Sequence, residues 1–416
     1  MKLSKFAATV RRPVGPLFLA CFVLPGLGCS ATGEGTSEEA IGSSSAEVVA
    51  VSFSNPIAGL SAAELARFDV GLDAFLEVED AADGLGPIFN EASCGTCHTV
   101  GGPGGGSTRI ETRFGNTVNG VFDPLTSKGG SLQQDHSIGN ATCQWIGFDS
   151  VPANAKTLAH RRTTPLFGLG LVDATPDSTF QNLAASEAAS SPSTAGRVNL
   201  VTNLTNGATV VGRFGWKSQV PTLFQFSGDA YLNEMGITNP QFPVEQCPNG
   251  NCSLMAACNI RPDLNDDGDD VVAFDDFMHM LAPPPRGTIT ASVTAGEGVF
   301  NSIGCANCHT ATLTSGASPI AALANKVYHP YSDFLLHDMG TSGDGIGDMG
   351  RATLNEMRTQ PLWGLRGIST FLHGGNAISI SEAIARHRGQ ANAAATRFNN
   401  LTATQSSQLL AFLNSL

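Results

Sequence analysis

Basic residues and long apolar stretches are scarce in this 416-residue chain. Lysine and arginine total 23 against 36 aspartates and glutamates, which gives a formal net charge of −13. An acidic chain without a basic patch is a poor candidate for binding nucleic acid, because phosphate recognition depends on clustered lysine and arginine. Beyond the N-terminus no apolar run is long enough to span a bilayer, so we expect no transmembrane helix downstream of it.

The composition that remains is that of a loop-rich globular protein. Hydrophobic residues make up 42% and charged residues only 14%, with 47 glycines and 22 prolines. A chain of this length is large enough for two domains. The acidic balance favours basic partners over nucleic acid.

The N-terminus is typical of an export signal. The apolar stretch VGPLFLACFVLPGLG follows four basic residues, Lys2, Lys5, Arg11 and Arg12. Because this stretch is too short for a transmembrane helix, residues 1–28 are predicted to be a signal peptide. Cys29 is then expected to carry a lipid, as in bacterial lipoproteins, although Gly26 stands where leucine is usual. Residues 29–50 are rich in Ser, Gly and Glu and predict a flexible tether to a periplasmic protein.

Two cysteine-containing segments share one pattern. FNEASCGTCHTV (residues 89–100) and FNSIGCANCHTA (residues 300–311) each begin with Phe-Asn and contain Cys-x-x-Cys-His. The histidine after the second cysteine indicates c-type haem attachment rather than a redox dithiol or half of a zinc site. Both thiols lie on one face of a helical turn and can bond to one haem, whose iron the next histidine binds. The sequence therefore predicts two covalent haem c groups, held by Cys94, Cys97 and His98 and by Cys305, Cys308 and His309.

Four cysteines lie outside the signal region and the haem motifs: Cys143, Cys247, Cys252 and Cys258. An even number favours two disulfides in an oxidising compartment. The sequence does not determine how they pair.

A second repeat indicates an internal duplication. RTTPLFGL (residues 162–169) recurs as RTQPLWGL (residues 358–365), each downstream of one haem motif. The seam is LAPPPRG (residues 281–287), because three successive prolines cannot continue a helix. We therefore predict a mainly α fold of two tandem cytochrome c-like domains, over 51–285 and 286–416, with one haem each and the first enlarged by loops.

Three segments carry clear local signals. SAAELARFDVGLDAFLEV predicts a helix in which Ser61 is the N-cap and Glu64 completes a capping box. LTATQSSQLLAFLNSL predicts a C-terminal amphipathic helix that packs on the helix leading into a haem motif. STAGRVNLVTNLTNGATVVGRFGW, rich in β-branched residues around Asn-Gly, predicts a β-hairpin in the first domain.

DLNDDGDD (residues 263–270) resembles the start of a calcium-binding loop. Phe274 occupies the twelfth position, where such loops have glutamate. We interpret the segment as a solvated acidic turn, and calcium stays a candidate cofactor whose site the sequence does not place.

Several further stretches resemble one family. GRFGWKSQVPTLFQFSGDAYLNEMGITNPQFP, PYSDFLLHDMG, the two Arg-Thr-x-Pro-Leu motifs and FLHGGNAISISEAIARH resemble the di-haem oxidoreductase family, which is related to di-haem cytochrome c peroxidase and MauG. The resemblance covers nearly the whole chain after residue 60. It implies a peroxidase that reduces hydrogen peroxide at the first haem. Electrons would arrive through the second haem from a small donor protein of the cytochrome or cupredoxin type.

The resemblance also implies iron ligands. The peroxidases place a methionine ligand of the second iron fourteen residues after a motif histidine, and here His387 stands fourteen residues after His373. His387 is therefore the expected sixth ligand, and His/His ligation gives a lower potential than His/Met. Without the resemblance, His387 is interpreted as a surface residue of a helix. Competing ligands are Met339, Met349 and Met357.

His136 is a candidate removable cap of the first iron, or otherwise an ordinary loop histidine.

Three catalytic roles follow from the same resemblance. Glu234, followed by Met235, would move a proton between the two oxygens of peroxide, because water leaves more easily than hydroxide. Gln225 would orient the peroxide, and Trp216 would carry electrons between the haems. Lys217 follows Trp216 here, whereas the peroxidases have Trp-Asp-Gly-Arg.

Two other functions stay open at this point. One is a MauG-like or oxygenase-like oxidase of another substrate, which differs from a peroxidase in substrate access. The other is a non-catalytic electron-transfer cytochrome, which needs both irons to stay six-coordinate. A disulfide-exchange enzyme is disfavoured because haem uses both Cys-x-x-Cys pairs.

Overall fold

The computed structural model describes residues 52–138, 150–259, 263–347 and 350–416. The predicted signal peptide, Cys29, the tether, Cys143 and Met349 lie outside the described residues. Within these ranges, none of the helices combines the length and apolar character needed to cross a membrane.

Helices contain more of the described residues than strands do, and the strands form several small sheets. The α-helices are α1 (Ala62–Leu76), α2 (Cys94–Cys97), α3 (Leu169–Asp173), α4 (Asp177–Ser190), α5 (Leu223–Met235), α6 (Cys252–Cys258), α7 (Asp269–Met280), α8 (Ala291–Ser302), α9 (Ile380–Ala385), α10 (Asn392–Asn399) and α11 (Ala403–Leu413). The strands are β1 (Ile88–Phe89), β2 (Ile110–Val118), β3 (Val121–Asp123), β4 (His136–Ser137), β5 (Thr157–Arg162), β6 (Asn199–Thr202), β7 (Thr209–Gly212), β8 (Leu313–Thr314), β9 (Val327–Tyr328), β10 (Leu336–Asp338) and β11 (Glu356–Arg358). Short 3-10 turns lie at Thr126–Lys128, Pro248–Gly250, Cys305–Asn307, Gly340–Ser342, Leu365–Gly367 and Gly389–Ala391.

One helix crossing occurs twice. α1 packs against α7, and α8 packs against the C-terminal α11, as the sequence predicts for the last helix. At each crossing a glycine lies against the partner's backbone. A Cβ atom at Gly71 would lie 2.3 Å from the Ala273 carbonyl oxygen, and one at Gly296 would lie 1.9 Å from that of Gln408. Larger side chains would therefore separate both pairs of helices.

A phenylalanine follows each of these glycines by four residues and faces a haem motif. The ring of Phe75 lies 5.6 Å from that of His98, and the ring of Phe300 lies 6.2 Å from that of His309. The structural counterpart of Phe300 is therefore Phe75. The Phe-Asn match in the sequence instead aligned Phe300 with Phe89, which lies in β1. The dipeptide match does not reflect equivalent positions.

The predicted local features are present. Ser61 and Glu64 form the capping box of α1. β6 and β7 form the predicted hairpin, with Thr202 opposite Thr209. The first half is further enlarged by the antiparallel sheet β3-β2-β5.

Disulfides are also present, as predicted. Cys247 and Cys252 are bonded to each other, and Cys258 is disulfide-bonded as well. The remaining described cysteines, Cys94, Cys97, Cys305 and Cys308, are free thiols.

The larger hydrophobic core crosses the predicted seam at residues 281–287. Residues of α1, α5 and α7 form its centre, and Leu313, Tyr328, Phe334 and Trp363 join it from the second half. A smaller core belongs to the second half alone and is built around Phe300, Phe398 and Phe412. The boundary between residues 285 and 286 stays a prediction.

Candidate functional site

In the first Cys-x-x-Cys-His motif, a hydrogen bond fixes the orientation and tautomer of the histidine. α2 contains both cysteines, and the Nδ1–H group of His98 donates a hydrogen bond to the Gly105 carbonyl oxygen at 2.8 Å. This bond leaves Nε2 as the ligand atom, because the partner of one ring nitrogen determines the tautomer. Burial lowers the pKa of His98 to about 4. The neutral imidazole that binds metal is therefore the stable form.

The second motif repeats this arrangement. The Nδ1–H group of His309 donates to the Tyr331 carbonyl oxygen at 2.9 Å, and burial lowers the pKa of His309 to about 4. Both pairs of motif cysteines are free thiols, whereas Cys247, Cys252 and Cys258 are in disulfides. The chain thus keeps available the four thiols that two covalent haems need.

His309 and His387 line one cavity of about 660 Å³. The Nδ1–H group of His387 donates to the Ala383 carbonyl oxygen at 2.7 Å, so its Nε2 is also left as a ligand atom. Burial lowers the pKa of His387, and Arg388 lowers it further. Met339 and Met357 line the same cavity. The structure therefore brings His387 and two of its competitors to the second site, and ligation by His387 stays a prediction.

The cavity fits a haem. Its walls are largely apolar, with Trp363, Leu365, Phe371, Leu372 and Ile384 among them. It also contains buried donor atoms that lack a hydrogen-bond partner within the described part of the chain: Arg162 Nε, Arg358 Nη1 and Gln360 Nε2. Buried donors without partners indicate an acceptor ligand, and guanidinium groups favour carboxylates. A flat apolar ring with two propionates satisfies both requirements.

The two arginines come from the repeated Arg-Thr-x-Pro-Leu motifs. Arg162 ends β5 and Arg358 ends β11, yet both reach this one cavity. Burial lowers the pKa of Arg358 to about 9. Asp333 offsets this only in part, and a propionate would supply a further counter-charge to the guanidinium.

Trp216 lies between these two motifs. Its indole N–H donates to the Arg162 carbonyl oxygen at 2.9 Å, and its own carbonyl oxygen accepts from the Arg358 backbone N–H at 2.8 Å. Its ring meets His373 edge-on at 6.2 Å and lines the second cavity. Trp216 is therefore held at a junction of both halves, and its role in electron transfer stays a prediction.

Glu234 lies beside the first haem motif. The sulfur of Met235 is 3.9 Å from that of Cys94. Burial and then the Glu234 carboxylate raise the pKa of the Cys97 thiol to about 12. Asn90 donates from Nδ2 to Glu234 Oε2 at 2.7 Å. Burial and the neighbouring Glu111 carboxylate raise the pKa of Glu234 far above its usual range. A buried carboxyl with a raised pKa beside a cofactor motif is a candidate proton donor.

Gln225 is not brought to Glu234. The two residues lie nine positions apart on α5, about two and a half turns, and therefore on opposite faces. The Gln225 side chain binds the β6–β7 hairpin: Oε1 accepts from the Leu204 N–H at 2.9 Å, and Nε2 donates to the Thr202 carbonyl oxygen at 3.4 Å. Orientation of peroxide by Gln225 stays a prediction that this placement does not favour.

His136 lies on β4, where its ring stacks on Phe89 at 5.6 Å and its Nδ1 lies 2.6 Å from Asp135. Its side chain is about half exposed. The structure gives it no contact with His98, so its role as a cap stays a prediction.

The calcium-like segment has exposed carboxylates at Asp263 and Asp267, but Asn265 and Asp266 are buried. Asn265 accepts two hydrogen bonds from Thr238. The expected solvated turn is therefore correct only for its outer residues. In the described ranges, the potential metal-ligand atoms that lie together belong to Cys308, Asp333 and His337, and Cys308 belongs to the second Cys-x-x-Cys-His motif.

A buried group of charges next to Trp216 has no local signal in the sequence. Lys217 Nζ lies 2.9 Å from Asp344 Oδ1 and donates to the carbonyl oxygens of Thr353 and Leu354. Arg161 donates from Nε to the other Asp344 oxygen at 2.8 Å. The three charged side chains are at most 1% exposed. These ion pairs and hydrogen bonds hold the segment after Trp216 against the second half of the chain.

Comparison with protein families finds one match. The model described as "Di-haem oxidoreductase, putative peroxidase" matches residues 153–416. This range contains the second haem motif, His387 and both Arg-Thr-x-Pro-Leu motifs, and it begins after the first haem motif. No curated protein matches the chain significantly.

Three solved structures are similar at low identity. Hydrazine synthase of Kuenenia stuttgartiensis is 12% identical, with a TM-score of 0.36, over 94% of this chain and 100% of that one. The Y463M variant of the diheme peroxidase BthA from Burkholderia thailandensis is 14% identical, with a TM-score of 0.38, over 84% and 85%. A MauG-like protein associated with microbial copper homeostasis is 15% identical, with a TM-score of 0.30, over 66% and 93%.

Proposed function

Because the chain belongs to the di-haem oxidoreductase family, whose model matches more than half of its length, we propose that it is an exported di-haem c-type peroxidase. It reduces hydrogen peroxide to water at the first haem, and two electrons from a small donor protein enter through the second. Cys94, Cys97 and His98 hold the first haem, and Cys305, Cys308 and His309 hold the second. The bound irons supply the redox chemistry, and the side chains around them supply protons and position.

The observation on which this proposal depends is the buried carboxyl of Glu234 beside the first motif. A pure electron carrier needs no acid beside its haem, whereas peroxide reduction requires protons at the leaving oxygen. The carboxyl of Glu234 lies beside Cys97, is fixed by Asn90 and has a pKa raised by burial. It can therefore present an O–H group at the first site near neutral pH.

The second site supports electron entry. His309 and His387 line one cavity, and each would offer its Nε2 atom to the haem iron there. With both histidines bound, this haem would accept and pass on electrons, and peroxide would react at the other haem. Trp216 at the junction of the two halves is the proposed path between the haems.

Export is part of the proposal. The disulfide between Cys247 and Cys252 supports an oxidising compartment, because such bonds are rare in the cytosol. We further propose that Cys29 carries a lipid and that the protein lies in the periplasm. Its electron donor there would be a cytochrome or a cupredoxin.

An open first iron should be visible by electron paramagnetic resonance of the purified ferric protein. We expect a high-spin signal, either as isolated or after adding one electron, that disappears on adding peroxide. If only low-spin signals of bis-imidazole type are present and peroxide changes neither, the protein is an electron carrier. If a high-spin signal is present but the protein does not turn over peroxide, and the signal changes with another oxidisable substrate, the MauG-like alternative is favoured.

Replacing His387 with methionine should raise the reduction potential of the second haem. Thioether ligation stabilises ferrous iron relative to imidazole, and we expect a rise of roughly 0.1–0.2 V within the range of about 0.8 V that axial ligands span. Spectroelectrochemical titration measures it. Met339→Leu and Met357→Leu are the matched controls, and an unchanged potential in His387→Met with a shift in either control would assign the ligand to that methionine.

A further inference from the structure

Glu111 and Glu234 form a carboxyl pair beside the first haem motif. The antiparallel pairing of β2 with β5 sets Glu111 opposite Arg161, and the Glu111 carboxyl lies within hydrogen-bonding reach of the Glu234 carboxyl on α5. Ionised carboxylates can only accept hydrogen bonds. Two ionised carboxylates at this distance would also repel each other, so the pair is most stable when it holds one proton.

The surrounding charges favour one position for that proton. Arg113 donates from Nε to Glu111 Oε1 at 2.9 Å, and Arg161 acts on the same carboxylate. Although burial opposes ionisation of Glu111, these two guanidinium groups outweigh it and lower its pKa. Asp229 on α5, whose pKa burial raises to about 6, is the other acid close to this group. Burial and then Glu111 raise the pKa of Glu234 by more than Asn90 and Arg113 lower it, and no arginine is hydrogen-bonded to its carboxyl among the described residues.

We propose that Glu111 is a positioning residue whose ionised carboxylate keeps the shared proton on Glu234, so that Glu234 presents its O–H group to the first haem site at neutral pH. Glu111 itself touches neither substrate nor cofactor. The use of this proton on peroxide rests on the proposed function, but its position on Glu234 does not. The sequence contains no local pattern that marks Glu111, because strand pairing and α5 bring the two carboxyls together.

Infrared spectroscopy of the haem-loaded protein tests the position of the proton. We expect the wild type at pH 7 to show a protonated-carboxyl C=O band that is absent in Glu234→Gln, which assigns it. In Glu111→Gln the neighbouring negative charge is gone, so the midpoint of this band should move to lower pH by at least about one unit. The band should then be clearly weaker at pH 7 than in the wild type.

Glu91→Gln is the matched control. Glu91 lies in the same region, and its backbone N–H donates to the Glu234 carbonyl oxygen, but its carboxylate pairs with Arg109 at 2.5 Å. The same loss of one charge there should leave the band at pH 7. Absorption spectra and thermal unfolding show whether each variant is folded and carries both haems.

The proposal is overturned if the wild type shows no Glu234 band at pH 7, and this result does not depend on any variant folding. It is also overturned if a folded Glu111→Gln protein keeps the band with an unchanged midpoint. If the band behaves as expected but the protein does not turn over peroxide, the position of the proton stands and the peroxidase function fails. The two inferences are thereby separated.

Discussion

Replacement of Asp344 by asparagine should destabilise the protein by about 3–5 kcal/mol, the cost typical of leaving a buried charge without its partner. Asp344 is the carboxylate that both Arg161 and Lys217 contact. All three side chains are at most 1% exposed, so water cannot take its place. Asparagine keeps the shape and removes the charge, which leaves two buried cations to repel each other.

Urea unfolding of the haem-loaded protein at neutral pH measures this loss. Lys217→Met is the matched comparison, because it leaves Arg161 and Asp344 as a neutral pair. Its expected cost is about 1–3 kcal/mol, since the Thr353 and Leu354 carbonyl oxygens lose their donor. The charges do not compensate each other if Asp344→Asn lowers the free energy of unfolding by less than about 1 kcal/mol. The same holds if Lys217→Met lowers it by more than Asp344→Asn does.

The pH dependence of this stabilisation has a definite sign. Burial alone would raise the pKa of Asp344, but Arg161 and Lys217 outweigh it and lower the pKa in the folded protein. The stabilisation is therefore complete above the unfolded pKa of about 3.9 and is lost as the pH falls through the lower folded value. Wild type and Asp344→Asn should thus differ fully at neutral pH and converge in acid.

Features with a local signal could be predicted from the sequence. The capping box at Ser61, the β6–β7 hairpin and the helical turn at Cys94 each depend on a few neighbouring residues, and the structure contains all three. The duplication was predicted from the two Cys-x-x-Cys-His motifs and the two Arg-Thr-x-Pro-Leu motifs, and it stays a prediction. Only the accompanying Phe-Asn match is wrong, because Phe89 lies in β1 and Phe300 lies in α8. The equivalent positions are the glycine and phenylalanine four residues apart in α1 and α8, a spacing that a helix crossing requires.

The long-range groups had no such signal. Lys217 and Asp344 lie more than a hundred residues apart, and Glu111 reaches Glu234 only because β2 pairs with β5. Charged residues are expected at the surface, and nothing local indicates which of them are buried together. The separation of Gln225 from Glu234 was predictable, since nine residues in one helix place them on opposite faces.

Glu234→Gln should slow the reaction with hydrogen peroxide by about 10²–10⁴-fold, the usual contribution of a positioned acid or base. Breaking the O–O bond leaves a hydroxide, which is a poor leaving group unless a proton converts it to water. Glutamine keeps the size of the side chain and can still accept from Asn90 Nδ2, but it has no proton to give. Stopped-flow spectroscopy of the haem bands after mixing with peroxide measures the rate.

Glu91→Gln separates this chemical effect from a general change of charge near the first haem, and its rate should stay close to that of the wild type. The potential of the second haem should be unaffected in Glu234→Gln, because the His309 and His387 side chains belong to a different cavity. A rate for Glu234→Gln close to that of the wild type would mean that the proton comes from elsewhere, and the observation on which the peroxidase proposal depends would be lost. A large loss of rate with an unchanged second potential would place proton delivery at the first motif and electron entry at the second. The two haem sites would then have different functions because different side chains surround them.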